Sequence, residues 1–214
     1  MFDGFINESI IARAIKTKKI RVNIVDFREF SKDKHKKVDD YQYGGGAGMV
    51  LMLQPIIDCL KKYKTSKSHV ILLSPQGKQL NQSKVKQLAK YQDLILIAGH
   101  YEGFDERIIH YVDEIISIGD YVLTGGEIPA MVLVDSISRT IKGVISNDSL
   151  DTESFDNNLL DYPIYTKPIN FEGHKVPQVL LSGNHQKIEE YRNQQRIRKT
   201  KKMRKDLLTK KGEK

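Results

Sequence analysis

Apolar side chains recur at helical spacing over residues 5–18 (FINESIIARAIKTK), and the next segment, 20–27 (IRVNIVDF), alternates apolar and polar positions as a half-buried strand does. From residue 54 a regular rhythm sets in. The pattern predicts a helix over 54–64, with Pro55 in the first turn where a missing N–H is tolerated, and a buried strand at 69–74 (HVILLS). A helix over 83–91, a strand at 94–98 (LILIA), a helix around 104–111, a strand at 114–118 (EIISI) and a helix over 127–141 follow. Such alternation predicts an α/β domain, a parallel sheet with helices on both faces, in which ligands lie beyond the carboxyl ends of the strands.

Three glycine-bearing segments come directly after those strands: SPQG (74–77), GHYEG (99–103) and GDYVLTGG (119–126). They are expected to share one rim. Beyond the last helix, NDSLDTESFDNN (147–158) is polar and acidic with no apolar period, which marks a linker. The expected division is a domain over 1–143, a linker over 144–160 and a small helical unit over 161–214, with a helix from about Asn184.

The chain has 214 residues, 39% of them hydrophobic, enough for one sizeable core and an appendage. Its net charge of +8 is unevenly spread: residues 187–214 hold 12 Lys and Arg against 4 Asp and Glu, and the first 186 residues balance to zero. A neutral body with a basic tail suits a polyanionic partner, and equally a solvated basic helix. The one cysteine, Cys59, excludes an intrachain disulfide and a cysteine-cluster metal site, in keeping with a reducing cytoplasm. No stretch approaches the roughly 20 apolar residues of a membrane span, and no basic-then-apolar leader opens the chain, so the expectation is a cytoplasmic protein without membrane contact.

YGGGAGM (43–49) fits neither the spacing of a nucleotide phosphate loop nor that of a dinucleotide fingerprint, leaving a mobile cover or a plain connection. The loops 99–103 and 119–126 would present main-chain groups with few side chains in the way, as a flat heterocycle such as adenine requires. Arg139 ends the stretch DSISR shortly before Asp148, Asp151 and Glu153; a surface ion pair is the commoner meaning of such a cluster. His35, Asp39 and Asp40 sit in a charged stretch before the glycines, and the six histidines show no metal-ligand spacing, so no metal site is expected.

VDDYQYGGGAGMVL, LSPQGKQL, LIAGHYEGFDERI, SIGDYVLTGGEIPAM, DSISRTIKGV and VPQVLLSGNHQKI, in that order over nearly the whole chain, resemble the bacterial tRNA (guanine-N1)-methyltransferases of the SPOUT class. The resemblance implies an α/β domain whose C-terminal half ties a trefoil knot around S-adenosyl-L-methionine (AdoMet), followed by a linker and a small helical domain. It implies methyl transfer from AdoMet to N1 of the guanine just 3′ of the tRNA anticodon. By the same resemblance Ser74, Pro75, Gly99, Tyr101, Glu102, Ile118, Gly119, Asp120, Tyr121, Val122, Leu123, Gly125, Gly126 and Pro129 hold the cofactor, and Arg139 is the catalytic arginine. A homodimer with its active site at the subunit interface is implied, as is tRNA contact through His35, Asp39, Asp40, Asn184, His185, Arg192, Arg196, Arg198 and Lys199. The family's dependence on magnesium leaves room for an ion near the carboxylates.

The chemistry can be argued on its own. N1 of neutral guanine carries a proton, so attack on a sulfonium methyl needs a base, and a guanidinium near O6 would stabilise the charge that gathers there as the proton leaves. Relatives carry aspartate immediately before Ser-Phe in the linker. Here Glu153 stands before Ser154-Phe155, with Asp151 two residues further back as the alternative base. Tyr191-Arg192 replaces a tryptophan-arginine pair, and relatives carry a strand ahead of the Met-Phe at which this chain opens: either the start has been assigned internally or a sheet strand is missing, and in the second case a less stable sheet is expected. The alternatives are a SPOUT enzyme for another RNA site and an impaired RNA-binding homologue.

Overall fold

The computed structural model describes residues 1–145 and 154–209. The chain divides into two compact units, Met1–Ile145 and Ser146–Lys214. In the first, α1 (Phe2–Asn7) and α2 (Ser9–Lys16) precede a 3-10 turn (Phe27–Phe30) and the short strands β1 (Asp39–Asp40) and β2 (Val50–Leu51). Next come α3 (Leu53–Tyr63), β3 (Ser68–Gln79), α4 (Gln82–Leu88), β4 (Asp93–Ile97), a 3-10 helix (Glu106–Tyr111), β5 (Glu114–Ser117) and α5 (Glu127–Ser138).

β3 is the middle strand of a three-stranded parallel sheet, flanked by β4 and β5. Its residues 70–73 are all buried because alternate side chains enter two different cores. Val70 and Leu72 pack with Ile56, Ile57, Leu60, Ile97 and Ile108 on the α3 side. Ile71 and Leu73 meet Val85, Leu88, Ile116, Leu133 and Ile137 of α4, β5 and α5 on the other. A strand covered on both faces reads as a continuous apolar run, which is why HVILLS stood out. The chain steps from β3 to β4 on one side and then to β5 on the other, so the carboxyl edge of β3 is where the strand order reverses.

Several elements depart from the sequence pattern, each for a local reason. The helix expected over 5–18 is two helices: Glu8 is extended and Ser9 has φ of 55°, which breaks the ladder between them. Residues 20–27 join no sheet among the described residues, and Ile24 and Val25 stay exposed; alternation marks a segment fit for a strand, but a ladder also needs a neighbour. The helix near 104–111 is a 3-10 helix capped by Asp105, whose carboxylate accepts the Arg107 N–H. α5 ends at Ser138, with Arg139 as its C-cap. SPQG does not end β3. The strand continues to Gln79, and its pairing with β5 shifts register between Leu73 and Lys78, so Pro75 sits in a bulge, where a strand tolerates a missing donor.

The second unit begins its described part with Ser154, whose hydroxyl accepts the Asp161 N–H at 3.1 Å, and a 3-10 turn (Asp156–Asn158). A tight hairpin, β6 (Asn170–Phe171) and β7 (His174–Lys175), turns on Glu172 and Gly173, both at positive φ as a two-residue connection demands. A 3-10 helix (Gln178–Leu181) leads to α6 (His185–Met203) and α7 (Asp206–Thr209). Asn184 caps α6 by accepting the Lys187 N–H at 3.1 Å. Thr200, with no exposed surface, accepts the Leu160 N–H at 2.9 Å and donates to Arg196 O at 2.7 Å, tying α6 to the segment before it.

Candidate functional site

The loops that follow β4 and β5 meet at the carboxyl edge of the sheet. The Gly126 N–H donates to Gly99 O at 2.7 Å, and His100 forms an antiparallel bridge with Gly125. The approach is close enough that a Cβ on Gly126 would lie 2.7 Å from the Ala98 Cα, main chain that cannot step aside. Glycine is therefore the residue that lets α5 begin here. At the other side of the rim, the bulge of β3 lies along β5: a Cβ on Gly77 would stand 2.5 Å from the Ile115 carbonyl carbon, and the Leu80 N–H donates to Ser117 O at 2.8 Å.

The loop between these anchors is open. Tyr121 and Tyr101 are each 54% exposed and Val122 86% exposed, and the Val122 and Leu123 N–H groups meet no acceptor among the described residues. Tyr121 lies across Gly119 and its hydroxyl donates to Ile118 O at 3.3 Å. Tyr101 holds φ of 63°, a left-handed conformation that costs a non-glycine residue about 1–3 kcal/mol and is concentrated at ligand-binding turns. Asp120 and Glu102 are exposed, and Pro129 lies in the first turn of α5. Open main-chain donors beside exposed rings and small residues suit a flat, polar-edged group such as adenine.

β1 and β2 hang a further loop over this rim. They pair antiparallel, Asp40 opposite Val50, and enclose YGGGAGM in the connection between them. The Glu102 N–H donates to Met49 O at 3.0 Å and the Leu51 N–H to Gly103 O at 2.9 Å, so this hairpin is fastened to the loop after β4. Gly48, at φ of +83°, lies against Glu102, where a Cβ would come within 2.4 Å of its Cγ. Asp39 and Asp40 thus stand beside the rim, and His35 lies a few residues before β1. Asp40 accepts the Tyr41 N–H at 2.9 Å and the Lys37 ammonium at 3.2 Å, which hold its carboxyl below the usual range and make it a weak proton acceptor.

Arg139 is not brought to this rim within its own chain. It caps the far end of α5, a 12-residue helix, about 18 Å from the Gly126 end at 1.5 Å per residue. Asp151 and Glu153, like Asp148, lie outside the described residues. Among the described residues no three His, Cys, Asp or Glu side chains gather as a metal site would require. The sequence pattern also passed over one contact: His100 Nε2 lies 2.5 Å from Glu127 Oε1 across the two glycine loops. Both residues flank glycines in the sequence, but 27 positions separate them and no local period joins them.

In the second unit, α6 carries Gln194, Ile197, Arg198, Lys201 and Lys202 along one exposed face, with Lys199 and His185 exposed as well. The Arg192 guanidinium lies 4.7 Å over the Tyr162 ring. Arg196 departs from the surface role expected of it: it is only 8% exposed and its Nε–H donates to Leu160 O at 3.4 Å, so it braces the unit from inside.

The fold defines an α/β protein with a parallel sheet whose carboxyl edge carries glycine-bearing loops, followed by a second, basic helical unit. Its family follows from comparison with known proteins: residues 1–210 match the family described as tRNA (Guanine-1)-methyltransferase TrmD, and the chain belongs to it. The chain is 61% identical over 209 residues to the tRNA (guanine-N(1)-)-methyltransferase of Malacoplasma penetrans, covering 98% of this chain and 92% of that one. It is 55% identical over 211 residues to the enzyme of that name from Ureaplasma urealyticum, again 98% and 92%. With that from Endomicrobium trichonymphae it shares 54% identity over 222 residues, 98% of this chain and 95% of the relative.

Proposed function

We propose that this chain, as a tRNA (guanine-N1)-methyltransferase, methylates the guanine just 3′ of the anticodon, position 37 of the tRNA. The observation that carries the reading is the convergence of the loops 99–103 and 119–126 at the carboxyl edge of the sheet, anchored at both ends and open in the middle. In this reading the open main chain at Val122 and Leu123 hydrogen-bonds the adenine edge of AdoMet, with Ser74, Pro75, Gly99, Tyr101, Glu102, Ile118, Gly119, Asp120, Tyr121, Gly125, Gly126 and Pro129 around it. The bound cofactor supplies an electrophilic methyl on a sulfonium.

The protein's part is to handle the guanine proton and the charge it leaves behind. Glu153 or Asp151 takes the proton from N1, and the Arg139 guanidinium faces O6, where negative charge grows. Magnesium, if it takes part, belongs with these linker carboxylates, and no step above depends on it. The distance of Arg139 from its own rim supports a site completed across a homodimer. A second observation favours that assembly: α5 is apolar on its outward face too, with Ile128 and Val132 exposed by 45% and 39%, and such a helix calls for a cover. The close passage of Gly126 over Ala98 supports a chain threaded as a trefoil knot.

His35, Asp39 and Asp40 are proposed to flank the target base. The basic face of α6, with Asn184, His185, Arg192, Arg198 and Lys199, meets the tRNA phosphates. Among the described residues no helix is long and apolar enough to cross a membrane, and a tRNA substrate is met in the cytoplasm. Methyl on N1 blocks the Watson–Crick edge, so primer extension on enzyme-treated tRNA tests the proposal. An arrest at the guanine after the anticodon is expected; read-through there, or an arrest at another guanine, overturns it.

A further inference from the structure

The contact between His100 and Glu127 closes a bracket around the segment proposed to take AdoMet, and it has a use beyond joining two loops. His100 follows Gly99 at the end of β4, and Glu127 is the first residue of α5, whose N-cap, Gly126, provides no side-chain cap. The imidazole Nε2–H donates to Glu127 Oε1 at 2.5 Å, beside the bridge of His100 with Gly125 and the hydrogen bond from Gly126 to Gly99. The two side chains close over Gly125, where a Cβ would stand 2.5 Å from Glu127 Oε2 and 2.7 Å from His100 Cε1.

The loop after β5 is fastened at its other end as well. The buried Ser117 hydroxyl donates to Gly119 O at 3.0 Å and accepts the Gly119 N–H at 3.2 Å. Between these fastenings, the Val122 and Leu123 N–H groups have no partner of their own among the described residues. Their direction is therefore set by the anchors, and an open loop held in its binding geometry loses less freedom on taking a ligand than a slack one.

We infer that His100 and Glu127 form a positioning pair that holds residues 120–124 in the conformation that receives the cofactor. This rests on reading the rim as the AdoMet site. The pair's loss weakens AdoMet capture and leaves tRNA affinity and the methyl-transfer step largely intact, because neither residue is assigned to the guanine. A strut that only stabilised the fold would lower the melting temperature without such a division.

The test compares full-length wild type with His100→Ala, Glu127→Gln, Glu127→Ala, the double alanine variant and His100→Gln, whose amide keeps a donor toward Glu127. AdoMet Kd is read by calorimetry, and KM for AdoMet, KM for tRNA and kcat from initial rates. The expected result is a rise of about tenfold in Kd and KM for AdoMet in each alanine variant, with KM for tRNA within about twofold of wild type. The double variant loses no more than either single one, as coupled partners do, and His100→Gln recovers most of the affinity. Unchanged AdoMet Kd in Glu127→Ala and His100→Ala, with wild type binding normally, overturns the inference and leaves the cofactor reading of the rim standing. Absence of AdoMet binding in the wild type itself overturns both.

Discussion

Gly126 shows how one residue serves fold and site together. Its missing side chain lets the start of α5 cross the Ala98 main chain, and backbone cannot yield as a flexible side chain would. Gly126→Ala is expected to lower stability by about 1–3 kcal/mol, the range for overpacking, and to abolish AdoMet binding even at temperatures where the variant is folded. Denaturant melts and calorimetry check the two halves. Arg139→Ala, at the opposite end of α5, should leave AdoMet Kd unchanged and lower kcat by about 10²–10³, the usual loss on removing a donor to a developing oxyanion.

Acid sensitivity is also a residue-scale matter. The Arg107 guanidinium and its N–H hold the Asp105 carboxyl below its ordinary value, despite partial burial that pushes the other way. A carboxyl depressed in the folded state stabilises above its unfolded pKa, and that contribution disappears as pH falls through the folded value. Asp105→Asn should therefore reduce the melting temperature most at neutral pH and converge with wild type in acid; a difference that persists unchanged into strong acid would contradict this.

Elements were legible in the sequence wherever one short window contained the cause. HVILLS announced a strand buried on both faces, LILIA a half-buried strand beside it, and Asn184 the start of α6, because burial pattern and cap are local properties. The bulge in β3 was not legible, since SPQG looks like the end of a strand until β5 resumes pairing beyond it. Residues 20–27 show the reverse case, a strand-like alternation whose ladder depends on a neighbour. The candidate rim was legible as three glycine segments after three strands, whereas the clasp between His100 and Glu127 depends on tertiary approach alone. Thr200 is another contact only the fold discloses. Thr200→Val keeps the volume but leaves the Leu160 N–H without its acceptor, and should cost the second unit about 1–3 kcal/mol, read from its unfolding in urea.

At the scale of the molecule, a neutral α/β body is proposed to take a small flat cofactor and a basic helical unit to take a polyanion. Their combination explains why the charge of +8 is confined to the end of the chain. tRNA affinity should fall steeply with salt while AdoMet affinity stays nearly constant, since only the former releases counterions. Everything converges on a methyl group delivered to one atom of one base. The most direct measurement is transfer of labelled methyl from AdoMet to two tRNA transcripts that differ only in carrying guanine or adenine just 3′ of the anticodon. Label on the guanine transcript alone is the predicted result; equal label on both, or none on either while AdoMet is bound, would contradict it.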